Sequence, residues 1–282
     1  MNQEAGFLWN VTGPVRDIRL VAIDLDGTLL RSDKNISKRC AAAIGEVKAQ
    51  GVKVILATAR PPRSVRQFTA ALQLDTLQIH YNGALIHDPH RARHVFHQPM
   101  ELTLAREIIR QARRLDPQVV VSIEILDKWY TDHFDPTLPT ETSRAFMPDF
   151  VGPLEAILRT PITKLMLLAP PERLKLVLDL VKRKFGSQIA VAVSDQHLLQ
   201  IMHPQVDKAR ALAWIATHYG VAKEHVMAIG DAPNDLSMLT WAGLGVAVDN
   251  AWPAVKEQVK EVVPSNDQDG VAVALERYVL KG

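Results

Sequence analysis

The sequence is poor in cysteine, in charge of one sign and in long apolar runs. Cys40 is the only cysteine among 282 residues, so no intrachain disulfide can form, and no Cys/His metal-ligand spacing surrounds it. The absence of a disulfide framework fits a reducing compartment. With 33 basic and 31 acidic residues, the formal net charge is +2. That balance lacks the concentrated positive face of a nucleic-acid binder, although it leaves room for a local site that takes a small anion. The start, MNQEAGFLWNVTGPVRD, has no basic segment followed by an apolar stretch and does not read as a signal peptide. Apolar stretches such as residues 165–169 are far too short to span a bilayer. A cytoplasmic protein with neither nucleic acid nor membrane as partner is the expectation.

What is present is apolar residues, 47% of the chain, enough for one large domain or two. In two segments strands alternate with helices. The first segment predicts strands at 18–23, 52–57 and 77–81, with helices at 37–50 and 62–74. The last predicts helices at 208–219, 235–241, 252–259 and 269–279 around strands at 226–229, 245–248 and 262–263. Such alternation implies a parallel sheet covered on both faces. Between them, strands at 119–126, 163–168 and 189–193 are spaced by helices at 100–115 and 172–185. This middle part reads as an α+β insertion, joined near Asn82-Gly83 and again near residues 194–197. The expected fold is α/β, a Rossmann-like doubly wound parallel core at 1–83 and 196–282 with an α+β cap domain at 84–195.

All strands of a parallel sheet end on one edge, and ligands bind in the crevice there. The predicted strand ends carry polar residues: Asp24-Leu25-Asp26-Gly27-Thr28, then Thr58-Ala59-Arg60, then Gly230-Asp231-Ala232-Pro233-Asn234-Asp235. Lys208 opens the helix before the third of these. Two like charges about 4 Å apart repel by roughly 4 kcal/mol at an effective dielectric near 20. Asp24, Asp26, Asp231 and Asp235 on one edge would therefore need a cation, and oxygen ligands beside a phosphate suit Mg²⁺. An aspartate can attack phosphorus, and a second carboxyl beside it can protonate the leaving oxygen and then activate water. Thr58 and Lys208 offer a phosphate cradle and a positive charge.

At these residues the chain resembles the haloacid dehalogenase superfamily, most closely the Cof-type, class IIB phosphatases with a large inserted cap. The motifs are DLDGTL at 24–29, ATARP at 57–61, VDKARAL at 206–212 and GDAPNDLSML at 230–239, with NGALI at 82–86 where a cap would begin. The resemblance implies that Asp24 is the nucleophile and a metal ligand, and that Asp26 is the general acid/base and gives its backbone carbonyl to Mg²⁺. It implies Asp231 as a further metal ligand, Asp235 as its support, and Thr58, Ala59, Lys208 and Asn234 as the phosphate-binding set. Ala59, Ala209 and Ala232 stand where the family usually has glycine.

Taken singly, each of these residues has a plainer reading. Thr58 would cap a helix, Lys208 would be solvated, and Asp231 or Asn234 would make turns. Their co-occurrence favours hydrolysis of a small phosphorylated metabolite, a sugar phosphate or a cofactor or nucleotide phosphate. A phosphosugar mutase and a non-catalytic sensor of phosphorylated ligands are the alternatives. Arg60, Asn82, Trp129 and Tyr130 are candidates for substrate contact, with Glu124 and Asp132 nearby. Arg63 is expected to be exposed, and His80, His87, His90, His94 and His97 to be surface or boundary residues.

Overall fold

The computed structural model describes residues 17–280. Its strands, in chain order, are β1 (Leu20–Ile23), β2 (Lys53–Leu56), β3 (Gln78–His80), β4 (Leu85–Asp88), β5 (Arg93–His97), β6 (Val120–Ile125) and β7 (Lys128–Thr131). They continue with β8 (Phe150–Val151), β9 (Lys164–Leu168), β10 (Ala190–Asp195), β11 (Leu198–Met202), β12 (Val226–Gly230), β13 (Leu244–Val248) and β14 (Glu261–Val263).

Five strands form an all-parallel sheet in the order β14-β13-β12-β1-β2. β1 reads LVAI and is buried along its whole length, because helices cover both faces of a parallel sheet. The helix Lys38–Ala49 begins where the Ser37 hydroxyl accepts the Cys40 amide, and it buries Cys40, Ala43, Ile44 and Val47. The helix Gly270–Tyr278 packs beside it. These elements share one apolar core with the central strands.

A second sheet has the order β10-β11-β9-β6-β7-β8 and is largely antiparallel. The helices Leu102–Leu115 and Pro171–Phe185 cover one of its faces and close a separate core around Val121, Ile123, Leu165 and Leu167. Alternation along each strand sends Ser122 and Glu124 of β6, and Lys164 and Met166 of β9, to the other face.

Residues 194–197 run from the end of β10 into the turn of the β10–β11 hairpin, and the second sheet runs on to Met202. At the other crossing, β3, β4 and β5 form a small antiparallel sheet, and Ile79 and Ile86 belong to the core of the parallel sheet. The chain therefore stays with that core until β5. Between β3 and β4, Tyr81 and Asn82 both adopt left-handed backbone, at φ 52° and 56°, and Gly83 follows at φ 103°. A side chain on Gly83 would collide with the backbone carbonyl of Asp207, so the β3–β4 turn touches the chain that enters the helix Lys208–His218.

Candidate active site

β1, β2 and β12 lie side by side in parallel register, with Ile23 beside Leu56 and Ile229. The residues that follow these strands consequently emerge on one edge. The Asp24 amide donates to the Ile229 carbonyl at 2.9 Å, and the Ala57 amide to the Ile23 carbonyl at 2.9 Å. Asp24, Thr58 and Asp231 thus leave neighbouring strands, and all three are buried.

Among the described residues, Asp24, Asp231 and Asp235 make one group of acidic side chains whose oxygens lie within 4.8 Å of one another. Asp235 is fully engaged. Its Oδ2 accepts the backbone amides of Asp231 and Ala232, each at 3.0 Å, and its Oδ1 accepts Lys208 Nζ at 2.5 Å. Lys208 also donates to Asp24 Oδ1 at 2.7 Å, and its side chain is wholly buried between the two acids. Asp231 Oδ1 accepts the Thr28 hydroxyl at 2.8 Å. Gly27 sits against this pair at φ 81°, and a Cβ there would lie 2.5 Å from Asp231 Oδ2. Only glycine permits that approach.

The electrostatics follow from crowding. Burial, and then repulsion from Asp235, push the Asp24 carboxyl well above the usual carboxylate range. The same two causes raise Asp231 to about 6. Burial lowers Lys208, but Asp235 and Asp24 outweigh it and hold the ammonium charged. One lysine among three buried carboxylates leaves an excess of negative charge. Asp24 and Asp231 retain oxygens that Lys208 and Thr28 do not occupy, and hard oxygen donors so placed fit a divalent cation.

Asp26 stands apart from this group. Arg60 clamps it bidentately, with Nε to Oδ2 at 2.6 Å and Nη2 to Oδ1 at 2.5 Å, and Lys34 adds a bond at 3.2 Å. Burial raises its carboxyl, but the two cations outweigh that and hold it below the usual range. Thr58 accepts the Arg60 amide on its hydroxyl at 3.1 Å and takes the Asn82 amide on its carbonyl at 3.0 Å. Asn234, exposed, donates to Asn82 Oδ1 at 3.0 Å and so ties the fourth motif to the loop after β3. Neither Ala59, Ala209 nor Ala232 lies at positive φ, so alanine in place of glycine introduces no backbone strain at these positions.

Other expectations fare differently. Trp129 is buried with Leu138 and meets Phe134 edge-on, while Tyr130 packs toward the helix-covered face of the second sheet. Arg63 is not exposed. It is tucked between the two sheets and pairs with Glu124 at 2.7 Å. His80 is also buried rather than superficial. Sequence reasoning missed Lys34 and the Thr28 hydroxyl as partners of the acids, and Asn250, whose side chain donates to the Gly27 carbonyl at 2.7 Å. Thr28 was legible within DLDGTL; Lys34 leaves no local signal.

The profile of the haloacid dehalogenase-like hydrolases matches residues 21–275. The chain belongs to that family. A 5-amino-6-(5-phospho-D-ribitylamino)uracil phosphatase of Bacillus subtilis is 31% identical over 267 residues, covering 92% of this chain and 97% of its own. An HMP-PP phosphatase of Cronobacter sakazakii is 28% identical and covers 83% of this chain and 85% of its own. Among solved structures, a haloacid dehalogenase-like hydrolase from Bacteroides thetaiotaomicron superposes with a TM-score of 0.81 at 26% identity, covering 92% of this chain and 99% of that one. The enzyme class is accordingly that of the phosphoric monoester hydrolases.

Proposed function

We propose that this hydrolase is a Mg²⁺-dependent phosphatase that cleaves small phosphorylated metabolites through an aspartyl-phosphate on Asp24. The supporting observation is the meeting of Asp24 and Asp231, two buried carboxylates 207 residues apart in sequence, beside Lys208. Asp24 and Asp231 would hold the cation, with the backbone carbonyl of Asp26 as a third protein ligand. When bound, Mg²⁺ neutralises the phosphoryl oxygens and the carboxylates around them.

The chain's own residues supply the remaining steps. An Asp24 carboxylate oxygen forms a bond to phosphorus while the bond to the leaving oxygen breaks, and Asp26 gives that oxygen a proton. Water then attacks the aspartyl-phosphate and loses its proton to Asp26. Inorganic phosphate leaves, and Asp24 is regenerated. Thr58, the Ala59 amide, Lys208 and Asn234 would hold the phosphoryl oxygens, and Asp235 fixes Lys208 and the loop after β12. In its ion pair with Arg60, Asp26 is a base. Delivering a proton requires a protonated carboxyl, and hence release from the guanidinium.

The division of labour is part of the same reading: a catalytic core around the parallel sheet, and a cap made of the chain between β5 and the helix Lys208–His218. The named activities of the two relatives suggest a substrate with a phosphorylated polyol or a nucleobase-like ring, a sugar phosphate or a cofactor or nucleotide phosphate. Phosphate release should be measured across a panel of such esters, and with an aryl phosphate, in Mg²⁺. Asp24→Asn, Asp26→Asn and chelation are each expected to lower turnover at least a thousandfold. Full activity in any of the three refutes the role given to that component.

A further inference from the structure

The helix Pro62–Ala71 starts directly after the Thr58–Arg60 loop, and its beginning is unusual. Pro61 is its N-cap residue and Pro62 its first residue, and no side chain of the helix's own segment caps it. Neither proline carries an N–H, so Arg63 has the first backbone donor of the helix. That donor goes to the other sheet: Arg63 N–H bonds Asp127 Oδ1 at 2.8 Å. Asp127 lies in the tight turn between β6 and β7, beside Leu126 at φ 55°. A carboxylate from the cap therefore occupies the place of an N-cap side chain, where the helix dipole favours negative charge.

Four further contacts hold the same turn and the end of β6. Arg63 Nη2 donates to Glu124 Oε1 at 2.7 Å, and Arg66 Nη2 to Asp127 Oδ2 at 2.7 Å. The Tyr81 hydroxyl lies 3.0 Å from Glu124 Oε2 and 2.7 Å from the Leu126 carbonyl. Glu124 is fully buried, and the Arg63 side chain is only 11% exposed. On the core side, the links run straight to the chemistry. The Asn82 amide bonds the Thr58 carbonyl, and Arg60, three residues before Arg63, clamps Asp26. Two consecutive prolines with fixed φ join Arg60 to Arg63, so a shift at the helix start is passed to Arg60 with little slack.

We propose that Asp127, with Glu124 and Arg63, is a positioning residue for hydrolysis: the seated β6–β7 turn of the cap fixes the start of the helix Pro62–Ala71, and through it the phosphate loop and Asp26. Turnover competence is thereby conditional on the cap being docked, since a loop displaced by an ångström loses transition-state alignment. The role at Asp26 rests on the phosphatase reading above; the mechanical link from Asp127 to residues 58–63 does not.

The test compares wild type, Asp127→Ala and Asp127→Asn in the full-length chain with Mg²⁺. With an aryl phosphate, Asp127→Ala is expected to lose about tenfold in kcat with KM within about twofold, while Asp127→Asn, whose amide oxygen still accepts the Arg63 N–H, stays within about threefold of wild type. Amide hydrogen exchange in Asp127→Ala should quicken at least about fivefold at Thr58, Arg60 and Arg63 and stay unchanged in β12. Unaltered kcat, or a loss that asparagine does not restore, overturns the positioning role. Unchanged exchange at residues 58–63 overturns the link itself, and exchange that rises equally in β12 does too, because it marks general loosening. If wild type cleaves no phosphate ester, the phosphatase reading falls, and the exchange experiment still decides the link.

Discussion

Under the proposed mechanism Asp24 carries two demands that conflict: it must be ionised to attack phosphorus, and it is buried against Asp231 and Asp235. Burial and Asp235 raise its carboxyl more than Lys208 lowers it. Without a divalent cation, the ionised form therefore destabilises the fold. Asp24→Asn removes that charge and keeps an oxygen for Lys208. It is expected to raise the thermal midpoint of chelator-treated protein at pH 7 while abolishing turnover, as scanning calorimetry beside a phosphate-release assay would show. Adding Mg²⁺ at a hundred times its dissociation constant should stabilise wild type by about 2.7 kcal/mol and the variant far less. A lower midpoint for Asp24→Asn would mean that Lys208 compensates the charge after all. Gly27→Ala should also cost activity heavily, because its methyl would meet Asp231 Oδ2 at 2.5 Å in a left-handed backbone. At least a tenfold drop in kcat/KM is expected, with about 1–2 kcal/mol lost in urea unfolding. Wild-type kinetics in this variant would show that Asp231 moves aside freely.

The small sheet of β3, β4 and β5 brings four histidines together. Burial pushes His80 down to about 3 and lowers His87, His94 and His97 as well. In an unfolded chain histidine titrates near 6.5. Between that pH and about 3, the unfolded state takes up a proton that folded His80 refuses, so stability present above pH 6.5 is lost as the pH falls. His80 alone contributes a slope of about 1.4 kcal/mol per pH unit. His80→Gln should flatten the decline in urea midpoint between pH 6.5 and 4; curves that stay parallel would assign the decline to other groups. This sheet also marks where sequence reading weakens. The core strands were legible because a parallel strand buried on both faces is an unbroken apolar run, as in LVAI and VMAIG. β4 and β5 read LIHD and RHVFH, and nothing local tells that those histidines turn inward. β7 was hidden by its polar ends, and β11 by the expectation that the insertion had already closed. The helix expected at 252–259 shrinks to Pro253–Lys256. At the site, the acids were legible from their places after apolar strands. Arg63 was not, because its partner Glu124 comes from another sheet, 61 residues away.

At the scale of the molecule, the parallel sheet and the second sheet have separate cores. Charge is concentrated at the edge of the parallel sheet, whereas the second sheet has a mixed face on which Ser122, Glu124, Lys164 and Met166 are all buried. Contacts made by the second sheet and its loops to the non-reacting part of a substrate would be expressed as rate rather than as binding alone. A preferred metabolite should therefore exceed an aryl phosphate by about a hundredfold or more in kcat/KM, with part of the gain in kcat. Equal values across a broad panel would remove the second sheet from recognition. Gly83 carries the last consequence. Because it rests on the Asp207 carbonyl, the turn between β3 and β4 is stitched to the start of the helix Lys208–His218, immediately beside Lys208. Exchanging the segment from Met100 to Met202 for its counterpart in a relative, with Glu124 and Asp127 kept, should change which esters are cleaved while hydrolysis still depends on Asp24.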